Sequence, residues 1–163
     1  MPKNTEIERK FLVKGTAYQA QATRKMDICQ AYLCREPAKT IRVRIAGEKA
    51  YLTIKSSAGQ EGIARFEWER EIDLADAKQL LRLCLPGMIM KTRWIIPATG
   101  VTGDGLQVTD KPLKWEVDEF HGQKQGLVMA EIELQDEAQT FDRPEWLGEE
   151  VTGRPEYYNS NML

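Results

Sequence analysis

The chain has 163 residues, a formal net charge of −2 and a hydrophobic share of 42%, with charged residues at 29%. Its length predicts one domain over residues 1–163, its apolar share excludes global disorder, and its near-balanced charge gives no sign of a nucleic-acid or membrane partner. No N-terminal apolar h-region is present and no apolar run approaches the roughly 18 residues of a membrane span, while Cys29, Cys34 and Cys84 lack metal-site spacing and read as reduced thiols of a cytoplasmic protein.

The first predicted strand covers residues 6–13. Successive strand side chains point to opposite faces, so Glu6, Glu8 and Lys10 share one face and Ile7, Arg9, Phe11 and Val13 the other. Residues 15–24 read as a loop with a helical turn. A second strand, 26–34, is broken by Pro37. Strands at 40–45 and 50–56 flank Gly47-Glu48, which predicts a hairpin. A loop at 56–62 leads to a fifth strand, 65–72. The period then changes: Asp73 caps a helix over 74–83, with Ala77, Leu80, Leu81 and Cys84 at helical spacing, and Pro86-Gly87 stops it. A sixth strand follows at 88–96, then a loop or hairpin excursion over 97–111. The seventh and eighth strands cover 113–120 and 127–134, separated by a turn at His121-Gly122. A short helix near 136–141 and a helical piece around 156–162 complete the chain. Evenly spaced strands with few helices predict an α+β, mainly β protein built on an antiparallel sheet or barrel.

Sorting charges by strand face gives a pattern. The acids Glu6, Glu8, Glu67, Glu69, Glu116, Asp118, Glu131 and Glu133 recur at adjacent same-face positions. So do the bases Lys10, Arg42, Arg44, Lys55, Arg65, Lys91 and Arg93. The opposite faces carry Ile41, Val43, Leu52, Ile54, Phe66 and Trp68, and further along Trp94, Trp115 and Ile132. A sheet with one solvated face explains any single strand. The alternative is a curled or closed sheet with the charges inside and helices covering the apolar exterior. A charge in a dry interior costs several kcal/mol, against a net stability of roughly 5–15 kcal/mol. Such an interior must therefore be wet, with its charges paired or occupied by ions. Acids alone suit a cation and bases alone an anion. Both together suit a metal–polyphosphate complex, in which carboxylate oxygens hold Mg²⁺ or Mn²⁺ and Arg and Lys meet the phosphates.

These motifs resemble the CYTH, or triphosphate tunnel metalloenzyme, family over nearly the whole chain. Glu6, Glu8 and Lys10 match the family's Glu-x-Glu-x-Lys signature. Arg42 and Arg44 resemble its Arg-x-Arg strand, and Thr53 and Lys55 its Thr-x-Lys strand. Residues 65–69, 91–93, 115–118, 131–133 and the tail 148–161 also fit. The resemblance implies an eight-stranded antiparallel β-barrel, or tunnel, with a few short helices packed outside. It implies an enzyme that uses Mg²⁺ or Mn²⁺ on a small-molecule triphosphate, working as a monomer or homodimer. By carry-over, Glu131 and Glu133 with Glu6 or Glu8 bind metal, a set that extends to Glu116 and Asp118. Glu67 and Glu69 help a second metal or orient the attacking water. Lys10, Arg42, Arg44, Lys55, Arg65, Lys91 and Arg93 grip phosphates, and Lys91 also serves catalysis.

The family includes inorganic, thiamine and RNA-capping triphosphatases and one class of adenylate cyclase. Trp68, Trp94 and Trp115 all face away from the charges, so no obvious stacking platform is expected inside the tunnel, although Tyr51 shares parity with Lys55. Inorganic tripolyphosphate is therefore the expected substrate. Nucleotide cyclisation, hydrolysis of thiamine or nucleoside triphosphates, and non-catalytic polyphosphate binding are the alternatives. Where some triphosphatases resembling this chain carry Lys in the tail, this one has Tyr158, with Arg154 the basic residue nearby.

Overall fold

The two faces read along each strand become the inside and outside of one closed sheet. The computed structural model describes residues 4–56, 64–101 and 112–163. Its elements are β1 (Thr5–Val13), α1 (Tyr18–Gln21), β2 (Arg24–Arg35), β3 (Lys39–Ala46), β4 (Lys49–Ser56), β5 (Ala64–Ile72) and α2 (Leu74–Leu81). There follow β6 (Ile89–Pro97), β7 (Gly100–Val101), β8 (Lys114–Phe120), β9 (Val128–Leu134), β10 (Thr140–Phe141) and β11 (Leu147–Glu150). Strands pair antiparallel in the order β1-β5-β4-β3-β2-β6-β8-β9, and β9 returns to β1 from Ile7↔Leu134 to Leu12↔Met129. The eight-stranded antiparallel barrel is thereby closed, and closure removes the sheet edges. The second edge of β1 is divided: β5 pairs with Thr5 to Ile7, and β11 pairs with Phe11 and Val13. The β3–β4 hairpin turns through Gly47 and Glu48 between paired Ala46 and Lys49, with Gly47 at φ +62°, a conformation glycine adopts without steric cost.

The barrel is turned inside out relative to an ordinary core. Its outward faces are largely apolar, and two covers bury much of them, while Phe66 and Met90 stay exposed. One cover is aromatic. Trp115 meets Phe11 at 5.7 Å, Phe141 at 5.5 Å and Trp146 at 5.7 Å between ring centroids, all edge to face. Tyr18 of α1 joins Trp146 at 6.0 Å. The other cover is α2, whose Ala77 packs on Val43 and Ala50. Among the described residues, no helix is long and apolar enough to cross a membrane.

Four expectations are corrected in detail. The helix expected near 136–141 is replaced by a turn and β10. The Asp136 carboxylate accepts a bond from the Ala138 N–H, and Gln139 Oε1 accepts one from the Gln135 N–H, so side chains satisfy the backbone locally instead of a helix. Helix α2 ends at Leu81 rather than 83, because the next N–H groups bond three residues back, Arg82 to Gln79 and Leu83 to Leu80. Its cap is the backbone carbonyl of Asp73, which accepts from the Ala77 N–H, not the Asp73 carboxylate. The C-terminal helical piece is two 3₁₀ turns, Pro155–Tyr157 and Asn159–Asn161. The loop expected at 56–62 and most of the excursion at 97–111 lie outside the described residues, apart from β7, which pairs with β10.

Candidate active site

Inside the barrel, among the described residues, eight basic and seven acidic side chains line one cavity of about 230 Å³. Every predicted phosphate-gripping base is there, and every predicted acid except Asp118. Alternation puts them there: seven of the eight barrel strands contribute residues two apart, and register sets their neighbours. Glu8 lies opposite Glu133 and Lys10 opposite Glu131 on β1 and β9. Glu6 lies opposite Arg65 on β1 and β5, and Lys55 opposite Glu67 on β4 and β5.

Pairing answers the desolvation cost of so many enclosed charges. Lys55 Nζ donates to Glu6 at 3.0 Å and also pairs with Glu67 at 3.0 Å. Arg65 reaches Glu8 at 3.2 Å and Glu6 at 3.5 Å. Lys10 pairs with Glu131 at 3.2 Å. Arg42 lies 3.5 Å from Glu69, and the Thr53 hydroxyl bridges them, accepting from Arg42 at 3.2 Å and donating to Glu69 at 2.7 Å. Arg93 donates to both oxygens of Asp118, at 2.7 and 2.9 Å, and to Glu116 at 2.9 Å. Lys91 closes on Asp118 at 2.8 Å. Asp118 thus sits behind the cavity wall, 3% exposed, as the counter-charge of two bases.

The pairing is uneven, and the imbalance marks what is wanting. Burial pushes the Glu8 carboxyl up to about 7, and the neighbouring Glu131 and Glu6 carboxylates push it further in that direction. Burial likewise dominates at Glu6, raising it, with Lys55 opposing. Three crowded carboxylates supply hard oxygen donors of the kind Mg²⁺ and Mn²⁺ prefer. They fit a divalent cation by donor chemistry, although no three His, Cys, Asp or Glu among the described residues already form a metal cage. On the basic side, burial and then Arg42 and Arg93 make the Arg44 charge costly, and Arg44 Nε donates to the neutral Gln30 Oε1 at 2.9 Å. The buried Arg42 Nε has no hydrogen-bond partner among the described residues. An entering polyanion relieves both. Burial pushes the Lys91 ammonium down to about 7, partly offset by Asp118. Burial alone would raise Asp118, but Arg93 and Lys91 outweigh it and hold the carboxyl at about 2.

Several lining residues escaped the sequence reading. Tyr32, which lines the cavity, and Gln30, which is fully buried and holds Arg44, belong to β2 and carry no charge, so charge sorting passed over them. Only the register could have found them: Gln30 lies opposite Arg44 and Tyr32 opposite Arg42. Thr40 and Lys114 share parity with Arg42 and Glu116, so that signal was present and unused. Aromatic groups do line the tunnel, contrary to expectation: Tyr32 and, from the tail, Tyr158. The Tyr158 ring is engaged by Lys10 at 5.6 Å and Arg65 at 5.7 Å, so it serves as a cation–π partner. His121 stays outside, exposed at the start of a 3₁₀ turn and 2.8 Å from the Thr92 hydroxyl. The outward Arg9 pairs with Glu150 at 2.6 Å.

A closed antiparallel barrel with acids and bases together on its inner wall is the charged tunnel that the resemblance to the CYTH family implied. Residues 4–160 match the CYTH domain, and the chain belongs to the CYTH family. An inorganic triphosphatase of Acetivibrio thermocellus is 42% identical over 159 residues, covering 97% of this chain and 92% of the relative. An inorganic triphosphatase of Nitrosomonas europaea is 33% identical, covering 97% and 96%. A crystal structure of an inorganic triphosphatase superposes with a TM-score of 0.59 at 31% identity, covering 96% of this chain and 93% of that one. A Hippeastrum protein described as a putative adenylyl cyclase with a dominant triphosphatase activity shares the fold, with a TM-score of 0.57 at 15% identity.

Proposed function

We propose that this chain hydrolyses inorganic tripolyphosphate to pyrophosphate and phosphate inside its tunnel. The observation that carries this reading is the inner wall itself, eight bases and seven acids around one cavity, with Arg42 Nε left without an acceptor among the described residues. The relatives named inorganic triphosphatases, the nearer at 42% identity, support the substrate.

In this reading Arg42, Arg44, Lys55 and Arg65 hold phosphate oxygens from one side of the barrel, with Lys10, Lys91 and Arg93 facing them. Glu6, Glu8, Glu131 and Glu133 form the candidate metal-binding wall. A divalent cation bound there supplies charge neutralisation on the phosphates and orients the chain. Glu116 and Asp118 hold Arg93, and Asp118 also holds Lys91, so their weight falls on positioning the bases. Glu67 and Glu69, which lie on the cavity wall, orient the attacking water and accept its proton. Water adds at a terminal phosphorus, the bridging P–O bond breaks, and pyrophosphate leaves. Lys91, poised near 7 by burial against Asp118, exchanges the proton at the leaving oxygen. The rate gain rests on positioning and electrostatics. The three free cysteines suit a cytoplasmic setting.

Phosphate release from tripolyphosphate, ATP and thiamine triphosphate, each with Mg²⁺ or Mn²⁺, tests the proposal. Tripolyphosphate is expected to give the highest kcat/KM. Equal or greater turnover of ATP overturns the substrate assignment, and cyclic AMP among the products overturns the reaction type.

A further inference from the structure

One end of the tunnel is not lined like the rest. One pleat beyond Lys10, Gln30, Lys91, Asp118 and Glu131, the same inward strand faces carry Leu12, Tyr32, Ile89, Phe120 and Met129. The Lys91 ammonium lies 5.4 Å from the Phe120 ring, at the boundary between charged and apolar zones. Met162, 5% exposed, packs among these groups together with Tyr157 and Leu163. The C-terminus therefore fills this end of the barrel. At the other end Lys114 and Glu133 line the cavity and are exposed, so it opens there.

The tail is held at both ends of its path. The Val151 N–H donates to the Lys10 carbonyl at 2.8 Å, and the Lys10 N–H donates to Thr152 Oγ1 at 2.9 Å. Met162 anchors the far side. Between these points the tail offers neutral oxygens to two bases. The Tyr157 carbonyl accepts from Lys10 Nζ at 3.0 Å. Asn159 Oδ1 accepts from Lys91 Nζ at 2.8 Å and from Gln30 Nε2 at 3.2 Å. Tyr158, Asn159 and Ser160 face the cavity.

We propose that the C-terminal segment makes the tunnel blind and that Asn159 is the positioning residue at its floor, setting where the end of a polyphosphate chain stops. The inference rests on the triphosphatase reading above. An amide suits this place. Its oxygen holds the Lys91 ammonium without cancelling its charge, and its own N–H₂ group carries donors for a terminal phosphate. An aspartate there would set a second carboxylate on Lys91, which Asp118 already meets at 2.8 Å, and repel the substrate. A blind tunnel admits a chain only by its end, so cleavage falls at a fixed distance from that end and any excess length stays outside the mouth. A through-tunnel would let a longer chain slide and be cut internally.

The test compares the wild type with Asn159→Ala and with a chain ending at Tyr158. Substrates are tripolyphosphate, tetrapolyphosphate and a long-chain polyphosphate, with products resolved by ion chromatography. The wild type is expected to shorten every chain from its end, with one small product throughout. Loss of the charge-assisted bond to Asn159 is expected to lower the kcat/KM preference for tripolyphosphate over tetrapolyphosphate by about tenfold. Cleavage at a variable distance from the chain end, seen as a mixture of short products, should also appear in Asn159→Ala, and internal fragments of the long chain are expected from the chain ending at Tyr158. A merely structural role for Asn159 lowers kcat/KM for both short chains in proportion and leaves their ratio and the product pattern unchanged; that result in a folded Asn159→Ala protein overturns the proposal. Should the truncated chain fail to fold, Asn159→Ala decides alone, since it keeps the Met162 anchor. If the wild type turns over no polyphosphate, the triphosphatase reading has failed. Calorimetric affinities for tripolyphosphate and tetrapolyphosphate then judge the floor, and an Asn159→Ala affinity ratio equal to the wild-type ratio refutes it.

Discussion

Asp118→Asn separates a positioning role for this carboxylate from a metal-binding one. Asp118 is 3% exposed, takes both oxygens to Arg93 at 2.7 and 2.9 Å, and meets Lys91 at 2.8 Å. The substitution is nearly isosteric, so packing is kept while the counter-charge of two buried cations is removed. Breaking a buried pair by removing one partner costs about 3–5 kcal/mol, which for a chain of this size lowers Tm by about 6–20 °C. The sign of the pH dependence follows from the depressed carboxyl. Asp118 stabilises the fold fully above its unfolded value of 3.8, and that stability is lost as pH falls through about 2. The variant should therefore lack the part of the acid destabilisation that lies between about pH 4 and 2. Thermal and urea melts followed by circular dichroism, with and without tripolyphosphate, give the measurement. Tripolyphosphate should raise the variant's Tm by more than the wild type's, because the anion replaces the lost counter-charge. A metal-free Asp118→Asn protein as stable as the wild type, but with weakened Mg²⁺ or Mn²⁺ affinity, would refute this reasoning and return Asp118 to the metal ligands.

The double change Glu131→Gln with Glu133→Gln is expected to lower kcat by about 10²–10³, the scale of losing a preorganised charge at the reacting group, while circular dichroism stays native; undiminished activity sinks the assignment of that metal wall. Glu8 has a folded value raised from 4.5 to about 7, so its native state binds the extra proton, and its contribution to stability falls as pH rises across that interval. Metal-free melts should show this loss, Glu8→Gln should flatten it, and added Mg²⁺ should reverse it in the wild type alone. A Cβ at Gly148 would come 2.9 Å from the Leu12 carbonyl oxygen in the β1–β11 contact. Gly148→Ala should therefore cost about 1–3 kcal/mol in urea melts, the range for overpacking a fitted contact, and an unchanged midpoint would show that β11 can shift off β1 freely.

Most of the barrel was legible because strand alternation is a local signal that tertiary structure seldom overrides. Glu6, Glu8 and Lys10 on one face of β1, and Arg42 and Arg44 on one face of β3, needed only parity and the cost of burying charge. Closure of β9 onto β1 did not follow from any one strand; keeping fifteen same-face charges wet favoured a water-filled interior, and the resemblance to the CYTH family implied the closed eight-stranded barrel. What stayed hidden depended on partners distant in sequence. Gln30 carries no charge and becomes part of the site only because register sets it against Arg44. Tyr158 and Asn159 lie in a segment with no periodicity, and they reach the cavity because Thr152 and Val151 bind the backbone of Lys10, more than a hundred residues earlier. The missed turn at 136–141 had a readable cause in Asp136, a side chain that competes with helix, yet the bond it makes to Ala138 is visible only in three dimensions.

The ion pairs of the tunnel are better understood as stand-ins than as stabilisers. Buried pairs contribute little net stability, because the cost of stripping water from two charges offsets their attraction. A row of them along one cavity, in a fold whose apolar packing lies mostly outside the barrel, is therefore an inefficient way to hold the protein together. It is an efficient way to keep a site ready. Under the proposed reading, a metal–triphosphate complex brings cations for Glu6, Glu8 and Glu131 and anionic oxygens for Lys55, Arg65 and Lys10. Each internal pair is then exchanged for a partner of the same sign as the one released, and neither set of charges is left bare during binding. A bare triphosphate or a bare metal completes only half of that exchange and leaves the other half unpaired. The mixed wall thus selects the complex over either component, which a purely basic or purely acidic tunnel would not do.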